Sequence, residues 1–203
     1  MDTEVVFSDN ECEQTLVVFT GVQFGNGPLE FYNLSKEYNV LFVTDKKRSW
    51  YNELNIAEIK KYLNGAPVIT IGNSMGGHSA IQFANEYPVK VSIAFTPQYS
   101  VHPDVVSDNC LLPEWIEYRN EIKNWKYKHL QFNDKTKYFL LFGNIHAETC
   151  HSDLVPVKKN ISLKNFDAAH DIASHLKERG VLYDLIHKMI NNQSFDLTNY
   201  NNF

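Results

Sequence analysis

The chain has 203 residues, 43% of them apolar and 13% aromatic; that is ample for a dry core and far from the profile of a disordered chain, so one domain over 1–203 is expected, with the Asn-rich 191–203 as a fraying tail. Lysine and arginine total 19 against 24 acids, a formal charge of -5, and no long basic run appears outside Lys46-Lys47-Arg48, which argues against a nucleic-acid partner. Apolar stretches such as 16–19 and 40–43 fall far short of the roughly 20 residues of a bilayer span, the acidic start Met1-Asp2-Thr3-Glu4 is unlike a secretory signal, and Cys12, Cys110 and Cys150, odd in number and widely spaced, fit reduced thiols; a cytoplasmic location is expected.

In chain order, β-rich apolar runs at 15–20, 40–44, 68–71, 91–95 and 138–142, and a weaker one at 161–166, alternate with helix-like segments. Several runs are apolar at consecutive positions, as in strands buried on both faces. Between them, Leu54, Ile59 and Leu63 predict a helix over 53–64, stopped by Gly65 and Pro67. A second helix is predicted over 75–87 before Pro88. A third, over 181–190, carries Val181, Leu182, Leu185, Ile186, Met189 and Ile190 on one face and reads as core packing. This order predicts an α/β three-layer sandwich around a mostly parallel sheet. The irregular, aromatic stretch 97–137 leaves room for at most a small lid.

The chemistry-bearing motif is Pro67-Val68-Ile69-Thr70-Ile71-Gly72-Asn73-Ser74-Met75-Gly76-Gly77: a buried strand, a Gly-x-Ser-x-Gly turn, and a helix beginning at once. A serine on such a turn takes a strained backbone conformation, and the flanking glycines remove side chains that would collide with the neighbouring strand and helix. Its hydroxyl then stands above a helix N-terminus, where free N–H groups and the helix dipole favour negative charge. A tight turn that packs closely or holds a phosphate is the plain alternative. A dinucleotide fingerprint and a P-loop are excluded by their missing residues.

With strands before it and an acid and a histidine after it, this motif resembles the α/β-hydrolase superfamily over most of the chain. Gly72-Asn73-Ser74-Met75-Gly76-Gly77, followed by Ala94-Phe95-Thr96-Pro97-Gln98 and by Ala169-His170-Asp171-Ile172-Ala173 with Leu176 and Gly180, is similar to small bacterial hydrolase-like proteins, some associated with surface-glycan genes. The resemblance implies a minimal α/β-hydrolase fold with little or no cap domain. It also implies a triad in the chain order serine, acid, histidine.

Ser74 is then the nucleophile, and a base must take its proton; His170, in the loop after the last strand, is the choice among eight histidines. His78, His175 and His187 fall in helices and read as surface or packing residues, while Asp167 and Asp171 read as caps of the following helix. The orienting acid belongs in the loop after 138–142. Its usual place, three residues past Gly143, holds His146, which departs from the family pattern. Glu148 is preferred, because the similar proteins often carry an acid shortly before a histidine placed as His151 is. Asp153 is the alternative acid, and Asp104 a distant third. His146, Glu148, Cys150 and His151 also permit a zinc reading, but the second ligand pair of familiar zinc motifs is missing, and neither metal nor cofactor is expected. The oxyanion donors are expected at the Met75 N–H and, in the loop 21–28, at Val22 or Gln23, although a lipase-type His-Gly-Gly-Gly is missing.

The resulting expectation is a serine hydrolase acting on a small-molecule carboxylic ester, with an O-acyl group on a sugar implied only by the finer resemblance. A thioesterase with the same triad, or a binding protein on a hydrolase fold, are the rivals. Trp50, Tyr51, Trp115 and Tyr118 are candidates for the pocket mouth, with core packing as the alternative.

Overall fold

The computed structural model describes residues 3–22, 29–63, 65, 68–193 and 200. Gln23 and the rest of the loop 23–28, the helix stop at Pro67, and tail residues 194–199 and 201–203 lie outside them. Seven strands form one sheet in the order β1-β3-β2-β4-β5-β6-β7. They are β1 (Thr3–Ser8), β2 (Thr15–Phe19), β3 (Asn39–Asp45), β4 (Val68–Asn73), β5 (Val89–Phe95), β6 (Lys137–Phe142) and β7 (Ile161–Asn165). All pair in parallel except β1, which runs antiparallel to β3 along the edge. Strand β1 was not expected from the sequence. It carries only three consecutive apolar residues, Val5, Val6 and Phe7, and none of its positions is fully buried, as on an edge strand.

The central strands bury both faces, which is why they read as continuous apolar runs. Val17 and Phe19 of β2, with Leu41 and Val43 of β3, enter one core, packed under α1 (Ile56–Lys60) and α2 (Met75–Glu86). Leu16 and Val18, with Val40 and Phe42, enter the other, under α5 (Ile172–Glu178) and α6 (Leu182–Ile190). The stripe Leu182, Leu185, Ile186, Met189 and Ile190 supplies most of that second helical layer. Strand β2 is buried at every position.

Helix α1 is shorter than the predicted 53–64, because the chain ahead of it is committed to a different turn. The Asp45 carboxylate accepts from the backbone N–H of Lys47, Ser49 and Tyr51 at 3.0, 2.8 and 2.8 Å. Trp50 and Tyr51 are held in the left-handed region at φ 51° and 56°, and Asn55 then caps the helix by accepting from Ala57 N–H at 3.0 Å. Trp50 and Tyr51 are therefore core residues, each 1% exposed, and not part of a pocket mouth. The indole and phenol groups are satisfied inside by Gln98 and by the Thr20 and Val43 carbonyls.

Between β5 and β6 lie a 3-10 turn, Asp108–Cys110, and α3 (Pro113–Glu121); α4 (His146–Ser152) follows β6. Cys110 and Cys150 form a disulfide joining the 3-10 turn to α4, which corrects the expectation of reduced thiols for this pair; Cys12 is free. A pairing across 40 positions leaves no mark in local spacing. No helix among the described residues is long and apolar enough to cross a membrane.

Candidate active site

At the C-terminal edge of the sheet, β4 runs into α2 with a single residue, Ser74, between them. Ser74 sits at φ 54°, a conformation costly for any residue with a Cβ and retained only where the surroundings impose it. The surroundings here are tight. A Cβ on Gly76 would lie 2.0 Å from the Phe19 carbonyl oxygen, so only glycine lets α2 press against β2. The Ser74 N–H bonds the Phe95 carbonyl at 2.8 Å, tying the bend to β5.

The Ser74 hydroxyl lies 2.8 Å from His170 Nε2, and His170 Nδ1 lies 2.6 Å from Glu148 Oε1. A carboxylate only accepts, which places the ring proton on Nδ1 and leaves Nε2 to accept from the serine. Glu148 is 1% exposed. It comes from the first turn of α4, where position 148 faces inward while His146 faces out beside Cys150 Sγ at 3.6 Å. That half-turn of helix explains why the acid is displaced from its usual place. Asp153 sits exposed at the end of α4 and Asp104 is exposed beside Lys128; neither is the acid bonded to His170. The His170 loop is seated by Gly143, where a Cβ would lie 2.4 Å from the Ala169 carbonyl oxygen.

Asp171 precedes α5 but makes no side-chain cap bond, and Asp167 accepts from Asn144 at 2.6 Å, so neither caps as expected. His175 lies in α5 and His187 in α6, where His187 bonds the Tyr38 hydroxyl at 2.8 Å. The zinc reading loses Glu148 to His170. Cys110, His146 and Cys150 do bring ligand atoms within 4.8 Å of one another, but both sulfurs are committed to the disulfide.

Three residues not singled out from the sequence complete the site. Gln98 donates from Nε2 to Ser74 Oγ at 3.2 Å and accepts from Trp50 Nε1 at 2.8 Å. Since an indole N–H only donates, Trp50 fixes which end of the amide faces the serine. Trp115, a mouth candidate, packs edge-on to His170 at 4.8 Å. Glu30 accepts from Gly21 N–H at 2.7 Å and from Asn73 Nδ2 at 3.1 Å; burial raises its carboxyl above the ordinary value, partly offset by these two bonds and by nearby His170. The third new residue, Thr96, is held at φ 45°, its hydroxyl 3.2 Å from Asn73 Oδ1 and 3.4 Å from the His170 carbonyl oxygen. Of these, only Gln98 and Thr96 lie in a motif visible in the sequence.

Two further imidazoles lie beneath. His78 Nδ1 bonds the Gln98 carbonyl at 2.8 Å, and burial lowers its pKa to about 4. His151, also buried, is lowered to about 3. Both are neutral near pH 7. A cleft of about 180 Å³ opens over Ser74 and His170, walled by Val22, Glu30, Trp115 and Tyr118 among others. Met75, the residue after the serine, begins α2.

No protein-family model matches the chain, and no curated protein matches it by sequence. Solved structures do. The capsule O-acetyltransferase of Neisseria meningitidis serogroup A superposes with a TM-score of 0.65 at 15% identity, over 92% of this chain and 91% of that one. An esterase of Pyrococcus furiosus gives 0.61 at 18%, over 92% and 84%. A Bacillus megaterium epoxide hydrolase gives 0.56 at 13%, over 93% and 96%. Identities this low speak to architecture alone, and with a mostly parallel seven-stranded sheet between helical layers the chain has the α/β-hydrolase fold.

Proposed function

We propose that the chain is a serine hydrolase that cleaves a carboxylic ester through an acyl-enzyme on Ser74. One observation carries this reading: the relay Glu148, His170, Ser74, with bonds of 2.6 and 2.8 Å, ends at a serine held at φ 54°. His170 Nε2 takes the hydroxyl proton as Ser74 Oγ bonds to the ester carbonyl carbon, whose π pair moves onto oxygen. The Met75 N–H, at the start of α2, is one oxyanion donor, and Val22 or Gln23 in the loop after β2 supplies the other. The imidazolium, steadied by the Glu148 carboxylate, then protonates the departing alkoxide. In the second half, water loses a proton to His170 and attacks the acyl carbon, and Ser74 recovers its hydrogen. A cleft of about 180 Å³ suits a short acyl group on a small molecule.

A second reading shares the first half. The likeness to a capsule O-acetyltransferase at a TM-score of 0.65 favours a sugar hydroxyl in place of water as the group that clears the acyl-enzyme. The same relay would serve a thioester.

The test is labelling by a fluorophosphonate probe together with turnover of p-nitrophenyl acetate. Wild-type protein should label and turn over, and Ser74→Ala should do neither. A folded wild-type protein that ignores the probe would leave only the scaffold reading. Adding sugar alcohols to the turnover assay separates hydrolysis from transfer by the product formed.

A further inference from the structure

Four loops meet at the C-terminal edge of the sheet, and one carboxylate sits where two of them touch. Glu30 Oε2 accepts from the Gly21 N–H at 2.7 Å, at the start of the loop that follows β2. Its other oxygen, Oε1, accepts from Asn73 Nδ2 at 3.1 Å, at the end of β4 and directly before the nucleophile. The Asn73 amide is oriented in turn by Thr96 at 3.2 Å, and Thr96 reaches the backbone of His170. Gly21 is pressed against the same point, since a Cβ there would lie 3.0 Å from the Asn73 carbonyl oxygen and 3.5 Å from the Glu30 carboxylate.

This arrangement is expensive for a merely structural contact. Two donors converge on a partly buried carboxyl, and burial still outweighs them, so its charged form is disfavoured relative to water. An uncharged pair would close the same gap with less penalty. Acids retained against such a penalty cluster at functional sites, and this one walls the cleft beside Ser74 and His170. Because the Gly21 N–H is spent on Glu30, it is not free for an oxyanion, and on the ester-cleaving reading the nearest described donor of this loop is Val22, adjacent to Gly21 on the wall of the cleft.

We infer that Glu30 is a positioning residue that locks the start of the loop after β2, at Gly21, to the nucleophile bend, so that oxyanion donors beside Gly21 and Ser74 are aligned before substrate arrives. The inference rests on the ester-cleaving reading of Ser74. Glutamine at this position keeps the size but offers one acceptor where two donors converge, and it carries no charge to desolvate.

The experiment compares wild type, Ser74→Ala, Glu30→Gln and Glu30→Ala, following p-nitrophenyl acetate turnover and thermal unfolding. Glu30→Gln should lower kcat by about 10² or more, the order seen when one oxyanion donor is lost, with KM nearly unchanged. Its unfolding midpoint should hold or rise. Glu30→Ala should lower kcat at least as far. Turnover by Ser74→Ala equal to wild type would remove the underlying reading. If Ser74→Ala is inactive, the inference alone fails in either of two cases: Glu30→Gln keeps wild-type kcat, or its activity falls only in step with a lowered midpoint.

Discussion

His170 donates from Nδ1 to Glu148 Oε1 at 2.6 Å, joining the loop after β7 to α4 through a side chain that is 1% exposed. The second carboxylate oxygen, Oε2, is buried without a hydrogen-bond partner among the described residues. Glu148 is thus organised around a single imidazole, whose positive form it would stabilise in the proposed acyl transfer.

Glu148→Gln should therefore lower kcat by ~10³ to 10⁴, the order seen when the orienting carboxylate of a triad is neutralised. Asp153→Asn, exposed at the end of α4, should leave kcat essentially unchanged. Steady-state turnover of both variants decides the assignment, and a reversed order of effects would move the acid to position 153.

Gly76→Ala tests the bend itself. The added methyl would sit 2.0 Å from the Phe19 carbonyl oxygen, and its next neighbours are also Phe19 and Thr20 backbone, which leaves no flexible side chain to yield. Stability should fall by ~3 kcal/mol or more, the upper end of overpacking costs, read as a lowered urea midpoint. An unchanged midpoint would mean that α2 does not seat on β2 as described.

How far the sequence revealed this site depends on the range over which each feature is encoded. Strands β2 to β6 were legible because burial on both faces forces consecutive apolar residues, and the serine bend because strand, glycines and helix are contiguous. The edge strand β1 satisfies only half of a pattern and was invisible. Glu30 stands alone in a loop, and its partners Gly21 and Asn73 come from separate segments that only the sheet order brings together. Trp50 and Tyr51 illustrate the converse. Their segment could equally have lined a pocket mouth or packed in the core, and the partners that permit burial, Gln98, Thr20 and Val43, are remote in the chain.

The Cys110 to Cys150 disulfide places a covalent tie on the helix that carries Glu148. Closing a loop across 40 positions restrains the unfolded chain by about 4 kcal/mol in the chain-entropy account. Cys110→Ser should therefore lower the unfolding midpoint, and dithiothreitol should lower that of wild type but not that of the variant. Turnover should fall as α4 loosens. Equal melting of oxidised and reduced wild type would show that the tie contributes nothing.

Acid stability follows from the two buried imidazoles. His78 and His151 have pKa values lowered to about 4 and about 3, chiefly by desolvation, against an ordinary 6.5 in the unfolded chain. Below pH 6.5 the unfolded chain therefore binds protons that the folded one refuses, and stability falls as pH drops towards the folded values. Each histidine contributes a slope approaching 1.4 kcal/mol per pH unit in that window. Above pH 7 the contribution is flat. Urea unfolding at pH 7.5, 6 and 5 should show this decline, and it should be shallower in His151→Phe, whose buried ring carries no titrating nitrogen. Parallel declines in variant and wild type would mean that His151 is hydrated in the folded protein, and the packing of α4 beneath the relay would then have to be redrawn.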